Sequence, residues 1–231
     1  MKNINYLMNR EELLKKSKPI LFNTEMVKAI LDGRKTVTRR VIKFPINRFT
    51  KNIPITDNVS FRQIRSGKAN FHEDPFFGYD VKLPYSVGDT LYVRETWSDH
   101  YVPDEYGKPK LEYCYKSDGI DIKSECLPGE NNRWEPSIHM PKDAARIFLR
   151  VTDVRVERLQ DITQEQICRE GVETEYPFAL TGEEKLYAFS RLWNSTIKKS
   201  DLETYGWDAN PWVWVIEFER IMKVRNKYDR E

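Results

Sequence analysis

Lys35-Thr36-Val37-Thr38-Arg39-Arg40 places five polar side chains within six residues, and Arg34 precedes it. Alternating β-branched residues argue for a strand here, so this density of polar groups means that one side faces something other than a core. Arg34, Arg39 and Arg40 are candidate contacts to a phosphate or a base edge, since Arg and Lys donate to phosphate oxygens. Aromatic side chains are the second resource. Trp97 and Trp134 can stack a base, whereas Tyr92 suits a core. His139 lies in a loop bounded by Pro136 and Pro141, beside Trp134, and is a further binding candidate. His72 and His100 have no partner pattern. No HExxH, P-loop or paired-carboxylate signature is present, so neither a metal nor a cofactor is expected.

These side chains need a frame. Ile20-Leu21-Phe22 reads as a strand, and Asn23 or Thr24 can cap the helix that follows. Met26, Val27, Ile30 and Leu31 recur at helical spacing, which predicts a helix over Thr24–Asp32. Gly33 is its stop, because glycine takes a left-handed turn without a Cβ penalty. Gly88-Asp89 then turns the chain into a strand over Thr90–Thr96. Ala145–Leu159 carries the clearest strand pattern, with a slip at Thr152-Asp153 that suggests a bulge or bend. Thr163 and Gln166 have the spacing of a capping box, and Gly171 ends that helix. Gly182–Thr196 reads as a second helix with Leu186, Phe189 and Leu192 inward. Pro211–Ile221 is the last strand. Tyr6–Lys15 resembles a short amphipathic helix outside the domain proper. Residues 41–86 hold several prolines and no sustained period, the mark of a long irregular excursion. Lys110–Lys116 suits another strand, and Ser117–Asn132 is turn-rich. Short strands with two main helices give an α+β fold class consistent with a small barrel.

Bulk properties narrow the function. The 231 residues are 39% apolar, 32% charged and 13% aromatic, with a net charge of only +2. A dedicated duplex-DNA binder would be more basic, so any nucleic-acid contact is local. The three cysteines, Cys114, Cys126 and Cys168, lack CxxC pairing, which argues against a disulfide framework or a zinc ribbon. Met1–Lys16 is polar and charged, and no apolar run approaches a membrane span. A soluble, cytoplasmic protein with no membrane partner is expected.

Strand, short helix, Gly33-Arg34-Lys35-Thr36, a hydrophobic residue and Thr38-Arg39 together resemble the opening of the ASCH domain, a relative of the PUA domain. Gly88-Asp89-Thr90-Leu91-Tyr92-Val93-Arg94-Glu95-Thr96-Trp97 and the closing Trp212-Val213-Trp214-Val215-Ile216-Glu217-Phe218 follow in the expected order. Ser137-Ile138-His139-Met140-Pro141 resembles the longer ASCH proteins carried by bacteriophages and prophages. The resemblance implies a PUA-like barrel over 19–221. Residues 1–18 would form an N-terminal extension, 41–85, 98–144 and 172–205 would be insertions, and 222–231 a basic tail.

The resemblance also implies a site. Small ASCH proteins that act as N4-acetylcytidine amidohydrolases use a Lys and a Thr three residues apart with a Glu from a later helix. These positions match Lys35, Thr38 and Glu170. A Thr hydroxyl is a poor nucleophile until a base takes its proton, and a free Lys, with a pKa near ~10.4, is no base at neutral pH. Arg34, Arg39 and Arg40 would lower that value, while a close Glu170 would raise it. Residues three apart on a regular strand point to opposite faces, so Lys35 and Thr38 converge only if Lys35 lies in the turn before the strand. Two outcomes stand side by side: a hydrolase of an acylated nucleoside, or an RNA- or modified-base-binding module without turnover. A nuclease acting on single-stranded RNA and an interaction protein of phage particles are the remaining alternatives.

Overall fold

The computed structural model describes residues 8–44, 60–72, 78–122, 133–172, 181–221 and 224–225. In chain order the elements are β1 (Met8–Asn9), α1 (Arg10–Lys16), β2 (Lys18–Leu21), α2 (Thr24–Leu31), β3 (Val37–Val41), β4 (Ser60–Arg65), β5 (Lys68–His72), β6 (Gly78–Lys82), β7 (Thr90–Arg94), β8 (Trp97–Pro103), β9 (Pro109–Tyr115), β10 (Phe148–Arg158), α3 (Gln164–Arg169), α4 (Gly182–Thr196), α5 (Leu202–Tyr205), β11 (Trp212–Arg220) and β12 (Val224–Arg225). This is a mixed α+β fold, and among the described residues no sheet closes into a barrel. The chain divides into two compact units: residues 1–33, 89–150 and 219–231 form the first, and residues 34–88 and 151–218 form the second.

In the first unit, Asn23 caps α2 by accepting from the Met26 N–H at 2.8 Å, and Val27, Ala29 and Ile30 are buried. Gly33 follows with φ 75°, the left-handed turn that its lack of a Cβ permits. β2 runs parallel to β7, and β7 pairs antiparallel with the first three residues of β10. Trp97 and Tyr115 open and close a β8–β9 hairpin, of which β9 matches the strand expected over Lys110–Lys116 and β8 was not expected. The core gathers Leu13, Tyr92, Trp97, Tyr115, Met140 and Phe148. Leu13 is fully buried there, so α1 belongs to the core and is not an appendage. A buried carboxylate, Glu95, is satisfied by Ser117 at 2.6 Å and by Arg146, which reaches Asp118 as well.

The second unit is built on β3, β11 and the longer part of β10, which lie side by side. β3 and β11 are antiparallel, with Thr38 opposite Ile216 and Arg39 opposite Val215. Their apolar face packs on the helices through Val37, Ile167, Phe189, Trp193, Val213 and Val215. Residues 60–72 and 78–82, expected to be irregular, instead form an antiparallel sheet, β4-β5-β6. A register shift between Phe61 and Gln63 breaks the strand period there, which is why the sequence conceals it. Residues 45–59, 123–132 and 173–180, which include Cys126, lie outside the described residues, as does most of the basic tail.

Candidate functional site

The backbone brings Lys35 to Glu170 before any side chain is considered. Thr36 donates its N–H to the Arg169 carbonyl at 2.9 Å, Phe218 donates to the Thr36 carbonyl at 2.9 Å, and Lys35 and Glu170 form an isolated antiparallel bridge. Lys35 therefore precedes β3 and is not part of it. Glu170 is the C-terminal cap of α3, and Gly171 follows with φ 75°. A carboxylate at a helix C-terminus opposes the helix dipole. Lys35 offsets this by donating to the Glu170 carbonyl at 2.9 Å and to its Oε2 at 2.7 Å. Its third donor goes to the Val37 carbonyl at 2.9 Å. Three acceptors match the three N–H bonds of an ammonium, so this geometry favours the charged lysine. Burial works the other way. The Lys35 side chain has no exposed area, and this desolvation pulls its pKa below the ordinary value, with Glu170 opposing and Arg40 and Arg39 reinforcing.

Arg39 is the second cation of the cluster. Nη1 donates to Glu170 Oε1 at 3.1 Å, and Nη2 donates to Glu157 Oε2 at 3.1 Å and to Gln166 Oε1 at 2.7 Å. Its Nε is buried with no hydrogen-bond partner. Gln166 has two tasks, because the same Oε1 accepts from the Thr163 N–H at 3.0 Å to complete the capping box of α3. The helix start and the arginine are thus held by one amide oxygen.

The charges continue outward as an alternating chain. Arg155 meets Glu157 at 2.6 Å, Asp153 at 2.9 Å and Glu217 at 2.5 Å, and Arg169 meets Glu217 at 2.5 Å and the Thr36 hydroxyl at 3.2 Å. Burial opposes ionisation of Glu217, but hydrogen bonds from Arg169 and Arg155 outweigh it and hold its carboxyl below the usual carboxylate range. Among the hydrogen-bonded pairs four cations (Lys35, Arg39, Arg155, Arg169) balance four anions (Glu170, Glu157, Glu217, Asp153), while Arg34 and Arg40 add positive charge beside them. Glu157, Arg169 and Glu217 were not singled out by sequence, and Gln166 only as half of a capping box. The one signal for them is Asp153-x-Arg155-x-Glu157, opposite charges alternating along one face of a strand.

Of the residues expected at the site, Lys35 and Glu170 meet directly, and Arg39 joins them. Thr38 is buried, at 2% exposure, but it and Arg40 are strand neighbours of Arg39 and so leave the opposite face of β3. Arg40 is partly buried; desolvation lowers its pKa, with Tyr85 and Glu170 opposing. Arg34 donates to the Gly171 carbonyl at 3.4 Å. Trp97, Trp134 and His139 belong to the first unit. Trp97 is buried in its core, edge-on to Tyr113 at 5.8 Å, Trp134 is half-buried, and His139 is exposed at the end of the turn Ser137–His139. Among the described residues no group of three His, Cys, Asp or Glu side chains gathers as metal ligands would. A cavity of about 720 Å³ lies between α3 and the start of α4, lined by Ile162, Ile167, Thr181 and Leu186 among others. No helix of the described residues is long and apolar enough to cross a membrane. Comparison with protein-family models, curated proteins and solved structures yields no match.

Proposed function

We propose that the chain is an ASCH-like, PUA-related protein that binds RNA or a modified nucleoside through the Lys35–Arg40 segment and the helix that ends at Glu170. One observation carries this reading. A buried arginine, Arg39, keeps its Nε without a partner beside a lysine–glutamate pair that is itself removed from water. Leaving a buried donor unmade costs about 1–3 kcal/mol. A ligand oxygen that accepts from it recovers that cost, once the side chains that leave Arg39 only 1% exposed move aside to admit it, and a phosphate or an exocyclic carbonyl is such an oxygen. The local basic cluster on a chain of net charge +2 fits a single contact region and not a broad electrostatic footprint.

Hydrolysis of an acylated cytidine is the second reading, and burial of Lys35 favours it. A lysine whose pKa is lowered by desolvation gives up its proton more readily than one in water. In that reaction the segment rearranges to bring Thr38 to the Lys35 side of β3, Lys35 takes the hydroxyl proton, the oxygen attacks the acyl carbon, Glu170 relays that same proton from Lys35 to the leaving amine, and water then releases the acyl group from Thr38 as a carboxylate. The test is incubation of the protein with a panel of modified nucleosides and with single-stranded RNA, read by mass spectrometry beside equilibrium binding. Deacylated nucleoside supports the hydrolase. Saturable binding without any product leaves the binding module. Neither binding nor product refutes both.

A further inference from the structure

The β4-β5-β6 sheet has two unlike faces. Phe61, Phe71 and Tyr79 form the inner one, and they pack on Phe44 and Trp212: Phe44 meets Phe71 at 4.8 Å between ring centroids, and Phe71 meets Trp212 at 5.8 Å. The sheet is therefore anchored within the second unit. Its other face carries Ser60, Gln63, Arg65, Lys68, Asn70, His72, Asp80 and Lys82, and no apolar side chain.

Cross-strand pairing sets these charges in an unfavourable order. Arg65 lies opposite Lys68, and Lys68 lies opposite Lys82, so three exposed cations form one row across three strands. With strands about 4.8 Å apart, the row is about 10 Å wide. Like charges directly opposite destabilise a sheet. The pairing is enforced by the Ser66-Gly67 turn, whose φ values of 51° and 72° are those of a tight type I′ hairpin. The Leu83 N–H closes the third strand onto the Gly67 carbonyl at 3.0 Å. Among the described residues Asp80 opposes the row; it lies 3.6 Å from Lys68 and takes a hydrogen bond from Asn70. A fourth cation is added by the register shift. Arg62 is the extra residue between Phe61 and Gln63, and its Nη1 lies 3.5 Å from His72 Nε2. Edge strands do use lysines to discourage pairing, but Lys68 is on the central strand, where that purpose is absent.

We propose that this face binds the phosphate backbone of single-stranded RNA. Repulsion among Arg65, Lys68 and Lys82 is relieved when a polyanion replaces their counterions. The Gln63 and Asn70 amides and the His72 ring lie beside the row and offer hydrogen bonds to sugar and base edges. An anionic membrane is the poorer fit, since surface association of a protein with lipid uses an inserted apolar side as well as charge. The choice of RNA over other polyanions rests on the function proposed above; the charged row does not.

The experiment measures binding of a fluorescent single-stranded RNA across a salt series. Three proteins are compared: the wild type, the triple variant Arg65→Gln/Lys68→Gln/Lys82→Gln, and a control with the same charge loss at Lys108, Lys110 and Lys116 of the first unit. All substituted residues are exposed. The face variant is expected to bind about tenfold or more weakly, with a salt slope reduced by about two units, for three phosphate contacts at ~0.7 each. The control is expected to keep the wild-type slope. Equal slopes for wild type and face variant, or an equal loss in the control, overturn the inference while leaving the Lys35–Glu170 reading in place. Binding of wild type to phosphatidylserine vesicles but not to RNA also overturns it. Turnover or binding in the nucleoside panel judges the Lys35–Glu170 reading independently of all three outcomes.

Discussion

At the scale of single residues, the Lys35–Glu170 pair is the part of the molecule most exposed to substitution. Breaking a buried pair by removing one partner leaves an uncompensated charge, whereas replacing both by apolar groups is often neutral or stabilising. Lys35→Met is expected to lower unfolding free energy by about 3 kcal/mol. Lys35→Met/Glu170→Leu should recover much of it, because Arg39 keeps Glu157 and Gln166. Urea denaturation of the two variants checks this; a double variant as unstable as the single one contradicts it. The hydrolase reading makes its own demand on the same residues. Thr38→Ala should abolish deacylation, Thr38→Ser should retain some, and Lys35→Arg should fail because arginine does not shed its proton. Rate should change more than affinity, the mark of an interaction made in the transition state. Activity should fall as pH drops, with a midpoint belonging to the coupled Lys35–Glu170 pair. Full activity in Thr38→Ala would remove that hydroxyl from the mechanism.

The elements explain why those residues meet. α3 is six residues long, yet its cap, its terminus and its last side chain all serve the charge network. Thr163→Ala removes one half of the capping box and is expected to cost about 1 kcal/mol. Because Gln166 bridges the cap to Arg39, ligand affinity should fall with it; calorimetry of the variant reads both. Glu217 ties β11 to α3 through Arg169. Its carboxyl is depressed in the folded state, so the unfolded chain takes up its proton first as pH falls. The stability it contributes is complete above the ordinary carboxylate pKa, near ~4.3, and is lost as pH drops through the lower folded value. Glu217→Gln should therefore flatten the acid limb of a pH–stability curve, and an unchanged limb would show that other carboxylates govern it. Much of this architecture was legible in the sequence. Asn23, the apolar spacing of Met26–Leu31 and Gly33 announce α2, while Thr163, Gln166 and Gly171 announce α3. β4–β6 were hidden because Arg62 interrupts the alternation, and the pairing of β8 with the expected strand β9 because the hairpin tip is polar and lacks the tight Asn-Gly type of turn. Glu170 came from resemblance alone. Local pattern has no means of revealing a partner 135 positions distant in the chain.

For the molecule as a whole, net charge is a weak guide because opposite charges are sorted by place. The ion pairs around Arg39 balance one another with Arg34 and Arg40 beside them, and among the described residues the outer face of β4–β6 carries four cations against Asp80. A chain with a net charge of +2 should thus show salt-dependent binding that is local in origin. The claim on which the account rests is that the Arg39 region contacts ligand. Its most direct measurement is the affinity of single-stranded RNA and of acylated cytidine for wild type and for Arg39→Ala/Arg40→Ala, with circular dichroism to confirm that the variant is folded. The account predicts weaker binding of both ligands and a salt slope for RNA reduced by about one unit or more. A folded double variant that binds both with unchanged affinity and slope would contradict it.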